Sequence, residues 1–167
     1  MSPVLPENID DLGIPTASVA LVGLRPITVR RRVTFGECDP ARIVYTPVFA
    51  EYMVCAFEWT MLALLRGEKI ADGTVVTPMR GLELDFRRML SFGDWFDMRC
   101  HIAEVRTRTF DLRVNGMNAK GQVAFHGRLT PIAIDPLTRG SVPLPAEFAQ
   151  VLTRYRELCP LPADGAA

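Results

Sequence analysis

Downstream of Pro78 the apolar residues recur at every second position in four separate runs, and this period limits what the chain can fold into more than any other feature. The runs are Leu82, Leu84 and Phe86; Phe96, Met98, Cys100 and Ile102; Phe110, Leu112 and Val114; and Val123, Phe125 and Leu129. Each reads as a half-buried strand. The turn-rich links Ser91 to Asp94 and Asn118 to Gly121 suit hairpins better than the helical crossovers a parallel sheet requires, so the sheet is expected to be antiparallel. An earlier run alternates from Ile27, with Ile27, Val29, Val33 and Phe35 on one side and Thr28, Arg30, Arg32 and Thr34 on the other. Only Arg31 breaks its apolar side, and the run ends near Gly36. Between this strand and the later four, Thr46 is placed as an N-cap and Pro47 at the first helical position. Phe49, Tyr52, Met53, Ala56, Phe57, Thr60, Met61 and Leu64 then follow helical spacing, which predicts one long helix ending at Gly67. Pro145 opens a short terminal helix through Arg156, with Phe148, Val151, Leu152 and Tyr155 on one face. The result is an α+β domain whose sheet must curl around the long helix to bury so much apolar surface. Pattern alone leaves other α+β folds open.

A chain of 167 residues, 49% apolar and 23% charged, fits one domain with a proper core. Residues 1–26 hold four prolines and the short apolar stretch Ala17 to Leu24, and read as an arm preceding a domain over 27–145, with 146–167 as a short helix and tail. Net charge is zero, so no overall field gathers nucleic acid or an anionic membrane, and any anion site must be local. Of 19 basic residues only Lys69 and Lys120 are lysines; this follows from codon bias or from the fit of Arg forks to phosphate. No uninterrupted apolar run approaches the roughly 20 residues of a membrane span, and no signal-peptide pattern opens the chain, so a cytoplasmic protein is expected. Cys38, Cys55, Cys100 and Cys159 are scattered without a metal-ligand pattern, and free thiols are the expectation, with no metal and no cofactor.

The chemistry is expected in the strand-to-helix segment Phe35-Gly36-Glu37-Cys38-Asp39-Pro40-Ala41-Arg42-Ile43-Val44-Tyr45-Thr46-Pro47. Loops held by rigid elements concentrate functional groups, and here an acid precedes a proline-stiffened turn leading into a helix N-terminus. Asp-Pro is also a common turn pair, so the residues alone leave a purely structural Asp39 open. His101 and His126 fall on the side of their strands opposite the apolar residues and read as non-core positions. Glu51 and Glu58 share a helix face away from the main apolar stripe, and are read first as a solvated or interface face.

The segment Phe35 to Pro47 closely resembles the signature F-G-D-C-D-P-A-G-I-V-[YFW]-x-P of the 4-hydroxybenzoyl-CoA thioesterase family. The resemblance continues more loosely from Ile27 to about Pro145, through Phe86, Gly93-Asp94 and Arg106 to Phe110. It implies the hotdog fold, an antiparallel sheet wrapped around one long helix, and hydrolysis of an acyl-CoA or aroyl-CoA thioester with Asp39 as the catalytic carboxylate. It also implies that Arg106, Thr107, Arg108 and Thr109 contact the CoA phosphates, with Arg128 and Arg139 as weaker additions. The site would form between subunits of a homodimer or homotetramer. Three departures stand out: Arg42 replaces the family glycine, Val48 the usual Asn after the proline, and no proline follows Phe86.

The expected chemistry can be stated independently of the family. A thioester needs a nucleophile, or a base that delivers water, and donors for the oxyanion; the thiolate leaves without strong acid assistance. An ionised Asp39 can do either first job. Backbone N–H groups near Tyr45, Thr46 and Val48 can polarise the carbonyl, while Pro47 has no N–H to give and lines the site with Val48. Two rivals remain: a hotdog hydratase or dehydratase, which would want a His that this loop lacks, and a silent acyl-CoA or acyl-carrier binding module in which Arg42 reshapes the site.

Overall fold

The computed structural model describes residues 17–66, 73 and 75–162. The Gly67 expected to end the long helix therefore lies outside the described residues, as do most of the proposed N-terminal arm and the last residues of the tail. The elements in chain order are β1 (Val19–Leu24), β2 (Ile27–Arg32), α1 (Val48–Leu65), β3 (Met79–Phe86), β4 (Trp95–Val105), β5 (Phe110–Asn118), β6 (Val123–Pro131) and α2 (Ala146–Leu158). The strands form one six-stranded sheet in the order β1-β2-β4-β5-β6-β3, with every pair antiparallel. This is the expected α+β hotdog. The four later strands fall on the four period-two runs. Val19–Leu24, counted with the arm in the sequence, is an edge strand that hairpins onto β2.

The sheet closes on α1 through residues whose sizes make room for one another. Phe49, Tyr52 and Met53 of the helix are buried against the inner face, where Phe49 meets Phe125 at 5.2 Å between ring centroids and Tyr52 meets Phe96 at 4.9 Å. Met53 lies directly over Gly127, where a Cβ would overlap its thioether, and Gly116 yields the space taken by the ring of Phe125. Two glycines in strand interiors thus let ring and helix approach the sheet closely. Cys100 belongs to this core, and burial pushes its thiol up to about 12, which keeps it protonated and inert.

α2 closes one end of the sheet. The Tyr155 hydroxyl accepts the Ile27 N–H at 2.7 Å and donates to the Cys100 carbonyl at 2.8 Å, so one phenol satisfies two backbone groups at a cross-strand pair of β2 and β4. The end of the helix also covers His101, whose Nδ1 lies 3.3 Å from the Cys159 carbonyl. His101 is non-core, as its alternation predicts, yet buried. Removal from water lowers its pKa, partly offset by its bonds to Cys159 and Pro160.

The sequence reading needs two local corrections. Phe35 was assigned to the buried side of the first strand, but β2 stops at Arg32 and Phe35 is 81% exposed in a 3-10 turn over Phe35–Glu37. Thr46 does not cap α1. Pro47 occupies the cap position in helical conformation, without a side-chain bond, and the N–H groups of Val48, Phe49 and Ala50 bond back to the carbonyls of Tyr45, Thr46 and Pro47. A tight first turn satisfies donors that a Thr side chain would otherwise serve.

Candidate active site

The segment from Thr34 to Pro47 is built on a buried carboxylate, that of Glu37. Its oxygens accept the Thr34 N–H at 2.6 Å, the Tyr52 hydroxyl at 3.1 Å and the Arg31 guanidinium at 2.5 Å. This explains why Arg31 interrupts the apolar side of its strand. Its side chain turns in, stacks over the Tyr52 ring at 4.8 Å and approaches Cys55 Sγ at 3.7 Å, so β2, the turn and α1 are fastened at one point. Burial alone would raise the Glu37 pKa, but the Thr34 and Arg31 hydrogen bonds overcome it and hold the carboxyl below its ordinary range. The sequence reading passed over this cluster. Its signals were the broken alternation at Arg31 and the three-residue spacing of Thr34 and Glu37.

Asp39 follows in a turn closed by its own backbone: its N–H donates to the Ile43 carbonyl at 2.9 Å and its carbonyl accepts the Arg42 N–H at 2.8 Å. One carboxylate oxygen, Oδ1, accepts the N–H groups of Ala41 at 2.8 Å and Ile43 at 3.2 Å. The turn-capping role of an Asp-Pro pair is therefore real, and it occupies one oxygen. Among the described residues Oδ2 has no hydrogen-bond donor, so the carboxylate is oriented by one oxygen and available through the other. Arg42 adopts φ +66°, the left-handed conformation for which the family keeps glycine. Burial and the neighbouring Glu37 and Asp39 charges push the Cys38 thiol up, which disfavours its thiolate next to Asp39.

At the helix start the donors separate clearly. The Tyr45 N–H is taken by the Glu37 carbonyl at 2.9 Å and the Val48 N–H by the Tyr45 carbonyl at 2.9 Å. Pro47 has no N–H. The Thr46 N–H makes no hydrogen bond among the described residues, so of the expected oxyanion donors it is the one left open. Tyr45, Thr46 and Pro47 are exposed and Val48 is half-buried. Around them lies an apolar surface: Phe35 packs edge-on to Phe92 at 6.0 Å, and Met89 is 72% exposed.

The expected CoA-binding residues lie elsewhere. Asp39 sits at the Trp95 end of β4, where Ile43 bridges Ser91, and Arg106 to Thr109 form the turn at its other end. An 11-residue strand separates them by about 35 Å within one chain. Arg106 is also committed, forked onto Asp111 at 2.7 and 3.2 Å and paired with Glu104 at 2.5 Å, and Thr109 is buried with its hydroxyl accepting from Arg106. Thr107 and Arg108 are exposed, and Arg108 donates to the Ser141 hydroxyl at 3.0 Å. Arg128 is paired with Glu83, and Arg139 lies in an exposed turn at φ +58°.

Comparison with known proteins bears on this geometry. A 4-hydroxybenzoyl-CoA thioesterase from Pseudomonas sp. (strain CBS-3) is 27% identical over 137 residues, covering 76% of this chain and 97% of that protein. Among solved structures, a thioesterase superfamily protein from Jannaschia sp. CCS1 superposes with a TM-score of 0.73 at 23% identity, over 81% of this chain and 94% of its own. A 1,4-dihydroxy-2-naphthoyl-CoA thioesterase from Synechocystis superposes at 0.65 with 20% identity, over 75% and 94%. These structures share the fold. The family model described as the Thioesterase-like superfamily matches residues 33–152, from the end of β2 through most of α2. With the Asp39 turn, α1 and the four strands β3 to β6 in that span, the chain belongs to the Thioesterase-like superfamily.

Proposed function

We propose that the protein hydrolyses the thioester of an acyl-CoA or aroyl-CoA, with Asp39 as the reacting carboxylate and the Thr46 N–H as the oxyanion donor. The observation that carries the reading is that Asp39 Oδ2 and the Thr46 N–H at the start of α1 both lack a hydrogen-bond partner among the described residues, on a turn locked by Ala41, Ile43 and Glu37. Asp39 either attacks the carbonyl carbon, expelling CoA thiolate and leaving an anhydride that water cleaves, or takes a proton from water as that water attacks. In both routes charge develops on the carbonyl oxygen, where a preorganised N–H is worth about 10²–10³ in rate.

The cluster Arg106 to Thr109 serves CoA through its exposed members, Thr107 and Arg108. Because these lie at the far end of β4 from Asp39, they belong to the Asp39 site of a second subunit. A homodimer or homotetramer follows, and the unpaired edge of β3 together with exposed Phe86, Met89 and Phe92 offers the surface for it.

The test is thiol release from benzoyl-, hydroxybenzoyl-, phenylacetyl- and short-to-medium aliphatic CoA thioesters by wild type and Asp39→Asn. Release by wild type that falls at least 10²-fold in the variant is the expected result. Near-normal turnover by Asp39→Asn would overturn the role of Asp39. Binding across the panel without release would mark a non-catalytic acyl-CoA module.

A further inference from the structure

The outer face of the sheet, turned away from α1, carries an array that the thioester chemistry does not use. Three regular stretches of β4, β5 and β6 align there in two rows. Arg99 stands opposite Asn115, which stands opposite His126; His101 stands opposite Arg113, which stands opposite Arg128. All six side chains point away from the inner face that holds Phe96, Met98 and Phe125, by strand alternation. Both histidines of the chain are in this array. The array floors a groove of about 1160 Å³, walled by β3 on one side and by Pro160 to Pro162 on the other.

The charges in the groove do not cancel. Arg128 is paired with Glu83 and Asp111, and Arg87 with Asp85. Arg99 and Arg113 form no ion pair and no side-chain hydrogen bond with a described residue, although each sits on a strand flanked by others. Arg113 faces Arg128 directly across the ladder, and because the Glu83 and Asp111 carboxylates are taken up by Arg128 and Arg106, the Arg113 guanidinium is left as an open donor among the described residues. The Asn115 carboxamide oxygen accepts from His126 Nδ1 at 2.9 Å, and its Nδ2 has no hydrogen-bond partner among the described residues. Strands spaced about 4.8 Å apart place these donors across a width that suits two linked phosphoryl groups better than one carboxylate.

We infer that this groove binds a small, soluble polyanion bearing linked phosphates, held chiefly by Arg99 and Arg113 with Asn115 between them. Arg128, the one groove residue also implied for CoA, is held by Glu83 and Asp111, and Arg99 lies about 23 Å back along β4 from the Arg106 to Thr109 turn. The floor of the groove is built on rigid strands, so the site is present before the ligand arrives.

Inorganic pyrophosphate is the probe, titrated calorimetrically into the full chain at fixed ionic strength, which removes general screening. Saturable binding is expected that weakens at least tenfold in Arg99→Gln/Arg113→Gln and stays within twofold in Arg108→Gln. The double variant replaces exposed side chains only, and should retain wild-type thioester turnover and melting temperature. The two histidine ring resonances give a second readout, since both imidazoles line the groove, and they should shift saturably with pyrophosphate and not with chloride. Absence of saturable binding, retention of binding in the double variant, or its loss in Arg108→Gln would each overturn the inference.

Discussion

Replacing Glu37 by Gln tests whether the candidate site is rigid because of one buried carboxylate. The side chain keeps its shape, but it loses the charge opposite Arg31 and one of its two acceptor oxygens. Breaking a fully buried ion pair costs about 3–5 kcal/mol, since the remaining charge is uncompensated. Here the Glu37 side chain is 11% exposed and that of Arg31 21%, so water partly rescues the guanidinium and about 2 kcal/mol is expected. In a domain of this size that lowers Tm by about 4–8 °C. The loss has a defined pH dependence. Because the folded carboxyl titrates below its unfolded value of about 4.3, its contribution is complete above that value and disappears as pH falls through the folded pKa. The difference between wild type and variant should therefore be full at pH 7 and shrink in acid. Activity should suffer too, since Glu37 precedes Asp39 by two residues and its carbonyl holds the Tyr45 N–H. A loosened turn is expected to lower kcat at least tenfold with a smaller change in KM. Thermal melts of Glu37→Gln, Arg31→Gln and the double variant at pH 7 and pH 4, with kcat and KM for each, make up the assay. The double variant should be less destabilised than the sum of the singles by at least about 1 kcal/mol. A Glu37→Gln protein that melts within about 1 °C of wild type and turns over normally would refute the reasoning.

Three further substitutions probe the frame around the site. Tyr155→Phe strands the Ile27 N–H and the Cys100 carbonyl in a buried position, and urea melts should show a loss of about 1–3 kcal/mol. Gly116→Ala drives a methyl group into the Phe125 ring, which is itself wedged against Phe49 and Phe96; a destabilisation of about 1–3 kcal/mol in the same assay is expected. Arg42→Gly relieves a non-glycine residue at φ +66° and should stabilise by about 0.5–1 kcal/mol, leaving the Asp39 hydrogen bonds intact; a loss of stability would show that the arginine side chain anchors the turn.

The sequence by itself determined the period-two strands, their antiparallel hairpins and the single long helix, because side-chain period and turn chemistry are local properties of neighbouring residues. It also located the Asp39 turn, since a short motif with two prolines constrains its own backbone, while the positive φ at Arg42 came from the structure. It did not reveal the end of β2 at Arg32, which left Phe35 outside the core, nor that Val19–Leu24 joins the sheet. Those outcomes depend on where partner strands begin. The Glu37–Arg31–Tyr52 cluster joins a strand, a turn and a helix, and no local period records which charge will turn inward to meet another. The structure likewise decided which helix-start N–H stays open, because that depends on whether the first turn bonds to its own carbonyls. It separated Asp39 from Arg106 to Thr109 by the length of β4, and it aligned Arg99, Arg113 and both histidines on one face. Distance across a sheet is set by register between strands far apart in the chain, and only the folded molecule fixes that register.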